Sequence, residues 1–403
     1  MLHLKKLNIL MLLLLPTFLL PNGNAVAQQF ELLYDTPEEN NFTDAIEEDS
    51  SFLLVGNKGK FPNNTPAYLR ISKKGVVLLD SLDQKLSNLS VQSILKRDSS
   101  YLLIYSYLLG FGPDINQHPN NDTSLLVKEV NKNFTKTLRT NYILRDSVDN
   151  WFPLNSKLVD DNLLLILGGK GTTTTSINIM DGFALFFNLN TKDDTIIFMQ
   201  RPHSIFSGAN EGIKMGSKYY ISATVESSIY KVRCNSLIHL FRYNSDFTLD
   251  TIFEVCNSKV NLGFGLFVPT NMHYHNAMAK LSDTTFAISA RIHNFDSTSS
   301  ISDPRDIAYM ILDTNFNEVK SEIIEKPDSF ALEGVKNTDY HQGMPAFFVG
   351  GTERYVANET GYDTADTYFL LRRADLEGNE ICTRLYSNSS YLNLKKVLAT
   401  SDG

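Results

Sequence analysis

Ser93-Ile94-Leu95-Lys96-Arg97-Asp98-Ser99-Ser100-Tyr101-Leu102-Leu103-Ile104 holds the pattern that decides the fold: a short apolar segment, a polar turn, then a run of aromatic and aliphatic residues. Two β-rich runs around a polar turn read as adjacent antiparallel strands. The pattern appears before this stretch, where Ala45-Ile46 leads through Ser51 to Phe52-Leu53-Leu54-Val55. It returns as Lys157-Leu158-Val159 with Leu163-Leu164-Leu165-Ile166, and as Gly212-Ile213-Lys214 with Tyr219-Tyr220-Ile221-Ser222. Ala277-Met278-Ala279 with Phe286-Ala287-Ile288-Ser289 and Pro345-Ala346-Phe347 with Tyr355-Val356-Ala357 complete the series. From Phe52 to Tyr355 the intervals are 49, 62, 56, 67 and 69 residues, averaging about 61. Periods in this range signal repeat architectures.

A second signal recurs at a fixed phase. Leu69-Arg70-Ile71, Leu126-Val127, Phe186-Phe187, Leu240-Phe241, Ile311-Leu312 and Leu370-Leu371 each run into a turn of Asn, Asp, Lys or Gly residues. Six units therefore read as four strands each, with amphipathic helical periodicity nearly absent. Repeated four-stranded antiparallel units predict an all-β protein, a β-propeller of six complete blades. A β-solenoid has much shorter coils, and a sandwich needs about seven strands before it repeats.

The ends extend this reading. Residues 394–403 read as the first strand and turn of a seventh unit, and Phe30-Glu31-Leu32-Leu33-Tyr34 resembles the outer strand at Cys382-Thr383-Arg384-Leu385-Tyr386. The expectation is a seven-bladed ring, truncated at its C-terminal end. A six-bladed ring with a frayed tail is the alternative.

The 403 residues are 42% apolar and 20% charged, which suits a packed core and excludes wholesale disorder. Lys plus Arg is 37 against 45 Asp plus Glu, a balance of −8 that argues against a general nucleic-acid binder. Lys5, Lys6, the apolar run 7–20 and Ala25-Val26-Ala27 form a secretory signal, residues 1–27. Residues 28–403 would then be the exported propeller, with no transmembrane segment after cleavage. Of three cysteines, Cys234 and Cys256 are close enough to bridge or to remain buried thiols, and Cys382 has no candidate partner.

Asp98-Ser99-Ser100-Tyr101-Leu102-Leu103, Ser401-Asp402-Gly403 and Asp375-Leu376-Glu377-Gly378-Asn379 resemble the repeats of secreted β-propeller proteins of Bacteroidota. The resemblance spans most of the mature chain and implies export. Members often continue into a C-terminal sorting domain that attaches them to the cell surface, a region not visible here. The motifs are structural and carry no catalytic residues over.

Candidate chemistry is sparse. Tyr274-His275-Asn276-Ala277-Met278 and Tyr340-His341-Gln342-Gly343-Met344 share a pattern placed just ahead of inner strands. His273 and His275 alternate by two, so a strand would put both on one face, and His341 could complete a three-imidazole cluster suited to zinc or copper. His203 is a weaker fourth candidate. Packing or hydrogen bonding by a repeated Tyr-His element is the plainer reading, and no cofactor is named by the sequence. Asp160-Asp161 falls where other units have a solvated turn, and Gly168-Gly169-Lys170-Gly171 reads as an exposed loop between second and third strands. No nucleophile elbow, His-Glu-x-x-His or P-loop occurs. The expected function is binding or scaffolding of a protein or glycan through a loop-rich face. The rival is a hydrolase or lyase with a polar or metal site in the central channel near His275 and His341.

Overall fold

The computed structural model describes residues 40–59, 65–86, 89–107, 123–144, 149–172, 180–199, 204–227, 238–255, 277–293, 305–324, 330–341, 343–355, 367–388 and 397–400. They form six four-stranded antiparallel blades in a ring, a six-bladed β-propeller. Blade one is β1 (Asn40–Glu47), β2 (Ser51–Lys58), β3 (Thr65–Ser72) and β4 (Val77–Leu82). Blade two is β5 (Leu89–Lys96), β6 (Ser100–Tyr107), β7 (Thr123–Asn131) and β8 (Thr137–Leu144). Blade three is β9 (Asp149–Asp160), β10 (Leu163–Thr172), β11 (Met180–Asn188) and β12 (Asp194–Met199). Blade four is β13 (Ser204–Met215), β14 (Lys218–Ser227), β15 (Ile238–Tyr243) and β16 (Leu249–Glu254). Blade five is β17 (Ala277–Lys280), β18 (Thr285–His293), β19 (Arg305–Asp313) and β20 (Glu318–Ile324). Blade six is β21 (Phe330–Asp339), β22 (Ala346–Tyr355), β23 (Thr367–Asp375) and β24 (Glu380–Asn388). One parallel bridge, Met180 to Phe206, joins the sheets of blades three and four.

The middle strands read as unbroken apolar runs because both of their faces are buried. Along β6, Tyr101, Leu103 and Tyr105 enter the core shared by blades one and two, while Leu102 and Ile104 enter the core shared by blades two and three. Outer strands face solvent and alternate, as in β4, where Val77 and Leu78 are exposed and Leu79 is half-buried. Each consecutive pair of blades from one to six shares such a core. Among the described residues, none of these cores joins blade six to blade one.

The turn between the third and fourth strands of every blade contains one residue at positive φ: Gly75, Phe134, Lys192, Phe247, Phe316 and Gly378. A bulky residue there costs about 1–2 kcal/mol. The three phenylalanines offset it by inserting their rings into the core between their own blade and the preceding one. Phe134 lies 4.8 Å from Tyr68, Phe247 lies 4.4 Å from Phe186, and Phe316 stacks 5.0 Å from Phe253. At Gly378 a Cβ would come within 2.8 Å of Lys320 Cγ and 3.0 Å of Ile311 Cδ1, so the backbone itself fills that space.

Two expectations need correction. The sixth unit was read one strand out of phase: Ala346–Tyr355 is a single second strand, preceded by the polar inner strand β21. Phe347, equivalent to Phe286, then follows it by 61 residues, close to the average period. Residues 168–171 are strand rather than exposed loop, since β10 runs to Thr172 and Gly168 and Gly169 are buried. Residues 397–400 form no strand, so the start of a seventh unit is not seen among the described residues. Residues 1–27, Cys234 and Cys256 lie outside the described residues; Cys382 is a free, half-buried thiol. No helix among the described residues is long and apolar enough to cross a membrane.

Candidate functional site

Three turns from two adjacent blades enclose a groove of about 970 Å³. The β9–β10 turn contributes Asp160, Asp161 and Asn162, the β11–β12 turn contributes Asn188, Thr191 and Asp193, and the β15–β16 turn contributes Ser245 and Phe247. The β11–β12 and β15–β16 turns are fixed by their own side chains, as short polar residues do when they bond nearby backbone. Asn188 Oδ1 accepts from the amides of Asn190 and Thr191 at 2.9 and 3.1 Å. Asp246 Oδ1 accepts from the Thr248 hydroxyl at 2.6 Å and the Thr248 amide at 3.0 Å, bonds that hold its carboxyl below the usual range.

The floor is aromatic. Phe186, Tyr219 and Phe247 form a three-ring cluster with centroids 4.4, 4.9 and 5.6 Å apart. Lys214 Nζ donates to both oxygens of Asp160, at 2.8 and 2.6 Å, and lies 5.6 Å from the Tyr219 ring centroid. The bond to Asp160 raises the Lys214 ammonium pKa, and burial raises that of the Tyr219 phenol. Asp161 and Asp193 carry no ion pair among the described residues. The groove thus offers two carboxylates, amide and hydroxyl groups from Asn162, Asn188, Thr191, Thr195 and Ser245, and a partly exposed ring at Phe247. That inventory suits a polar, hydroxyl- or amine-bearing ligand.

The chain's likeness to solved structures is broad and shallow. BamB from Moraxella catarrhalis superposes over 76% of this chain and 80% of its own, at 8% identity and a TM-score of 0.36. An α-L-arabinanase from Penicillium chrysogenum complexed with arabinobiose aligns over 71% and 89%, at 10% identity and 0.35. A variant of the Synechocystis apocarotenoid oxygenase aligns over 86% and 74%, at 8% identity and 0.45. The likeness extends to the fold alone. No protein-family model matches the sequence, and no curated protein matches it.

The histidine candidates are not brought together on the described part of the chain. His341 is half-buried in the β21–β22 turn, where its carbonyl accepts from the Met344 amide at 3.1 Å. It follows an inner strand, whereas Ala277, two residues after His275, opens one. His203, His273 and His275 lie outside the described residues. Among the described residues no group of three or more His, Cys, Asp or Glu side chains is placed to hold a metal. Sequence reasoning treated Asp160-Asp161 only as a solvated turn. The turn assignment holds, but the groove beside it depends on Phe247 and Asp193, which come from other turns and share no sequence motif with it.

Phe247 separates packing from backbone strain. Phe247→Ala should lower stability by about 2 kcal/mol through lost burial. Phe247→Gly should be about 1 kcal/mol less damaging than Ala, because glycine relaxes the left-handed conformation at φ 65°. Urea midpoints of the two variants check the order.

Proposed function

We propose that the protein is an exported or surface-attached propeller that binds a protein or glycan ligand through the groove between blades three and four. The observation that carries this reading is the convergence of three turns on an aromatic floor with unpaired Asp161 and Asp193 above it. Turns presented by a rigid sheet scaffold are where propellers vary without disturbing their cores. Lys5, Lys6, residues 7–20 and Ala25-Val26-Ala27 support export. Likeness to secreted Bacteroidota repeats supports surface attachment through a sorting domain.

The test is a glycan array, with a panel of surface proteins displayed beside it, probed with the wild-type chain and with Asp161→Ala, Asp193→Ala and Ser245→Tyr. Loss of a wild-type signal in these variants, but not in His341→Ala, is the expected result. A ligand bound equally well by the three groove variants would sink the reading. Edman sequencing of exported material should begin at Gln28.

A further inference from the structure

Each blade ends on an outer strand whose far edge pairs with no strand among the described residues. Such an edge offers a row of backbone donors and acceptors to another chain, and proteins usually guard it with charge. Three outer strands instead carry large apolar side chains there. Leu78 and Leu82 in β4, Val319 and Ile323 in β20, and Ile381 and Leu385 in β24 are all exposed and, within each pair, four residues apart.

That spacing makes each pair self-complementary. When a strand meets a second copy of itself antiparallel, about a two-fold axis at the middle residue, each apolar side chain faces its counterpart in the other copy. What stands between the apolar pairs separates the three strands. In β4 the axis falls on Asp80 and sets two carboxylates against each other. In β24 it falls on Thr383 and sets Cys382 against Arg384. In β20 it falls on Ser321 and sets Lys320 against Glu322, once on each side of the axis. Opposite charges and apolar pairs directly across a ladder stabilise it, whereas like charges oppose it.

The backbone of β20 suits such pairing. Its register against β19 shifts only between Ile311 and Leu312, so Lys320 to Ile324 run regularly. Val319 and Ile323 are 57% and 37% exposed. Lys320 Nζ and Glu322 Oε1 lie 2.8 Å apart within one chain, with side chains 34% and 42% exposed, so both charges are at the surface.

We propose that two copies of the chain associate through their β20 edges, antiparallel and centred on Ser321. Val319 packs on Ile323 of the second copy and Lys320 pairs with Glu322 of the second copy, each contact occurring twice by symmetry. A single strand pair is small beside the roughly 1,200 Å² at the low end of stable interfaces, so the association is reversible. No residue of the groove between blades three and four takes part, and each dimer therefore presents two grooves.

Ser321→Cys tests the pairing on the full chain, in a Cys382→Ala background. Residues facing each other across an antiparallel ladder have Cα atoms about 4.5–5.5 Å apart, within reach of a disulfide. Under mild oxidation the expected result is a covalent dimer linked through the two introduced thiols, several-fold above the Cys382→Ala parent. Adding Lys320→Glu, or Glu322→Lys should the first variant fold poorly, sets like charges across the axis and reduces the yield several-fold; combining both reversals restores it. No covalent dimer in a folded variant, linkage through other positions, or a yield indifferent to the charge reversals would overturn the proposal.

Discussion

Glu129→Ala should destabilise the protein by about 3–5 kcal/mol, the usual cost of removing one partner from a buried ion pair. The carboxylate sits in β7 and is 8% exposed as a side chain. It accepts from Ser100 Oγ at 2.6 Å, Arg97 Nη1 at 3.0 Å and Arg139 Nε at 3.0 Å. Both arginines continue into blade three, Arg97 to Asn162 Oδ1 at 3.3 Å and Arg139 to the carbonyl of Leu189. Removing Glu129 therefore leaves two cations uncompensated and loosens the blade two to blade three junction together. Burial alone would raise the Glu129 pKa; the Ser100 hydrogen bond and the charges of Arg139 and Arg97 outweigh it and hold the carboxyl below the ordinary glutamate range. A depressed folded pKa means that the stabilisation is complete above the unfolded value and disappears as pH falls through the folded one. Glu129→Gln should remove that part of the acid sensitivity while keeping an acceptor for Ser100. Glu48 should retain its own part: burial raises its pKa, and hydrogen bonds from Ser51, Tyr101 and Arg70 lower it further than burial raises it. Urea titrations between pH 3 and 7 provide the measurement, and an unchanged acid slope in Glu129→Gln would refute the assignment.

Gly56→Ala should cost about 3 kcal/mol or more, a large effect for one methyl group. A Cβ on Gly56 would stand 2.2 Å from the carbonyl oxygen of Asn41 and 2.4 Å from Phe42 Cα. Neither atom belongs to a side chain that could swing away. The register of β1 against β2 shifts between Phe42 and Asp44, and this bulge brings the β1 backbone onto Gly56. Gly216→Ala provides the contrast. A Cβ there meets nothing within 4 Å, so only its φ of 59° resists the change. Its expected cost is about 1 kcal/mol. Comparable melting temperatures for the two alanine variants would contradict the steric account.

The architecture was legible where side chains do the same task in every unit. The six turns between third and fourth strands were all found in the sequence, because Asn, Asp and Gly answer to local backbone geometry. The middle strands were equally plain, since burial on both faces demands continuous apolar runs such as Tyr101-Leu102-Leu103-Ile104. Inner strands were harder. β21 reads Phe330-Ala331-Leu332-Glu333-Gly334-Val335-Lys336-Asn337-Thr338-Asp339, a mixture without strict alternation, and two register shifts against β22 break its period. That irregularity displaced the sixth unit by one strand. The groove could not be read ahead of the fold, because the residues lining it come from three separate turns. Lys214 and Asp160, paired across its edge, are 54 positions apart.

The inserted turn residue gives the ring a direction. Phe134, Phe247 and Phe316 are each housed by the blade before them, so the fit of a unit is written partly in its upstream neighbour. Units duplicated or exchanged in evolution would have to travel with that neighbour's socket. Blade six, whose turn carries Gly378 against Lys320 and Ile311, could not follow blade four without leaving a hole where Phe316 now sits. The six blades are consequently related modules without being interchangeable ones, and a blade-swapped chimera should be built from adjacent pairs rather than from single repeats.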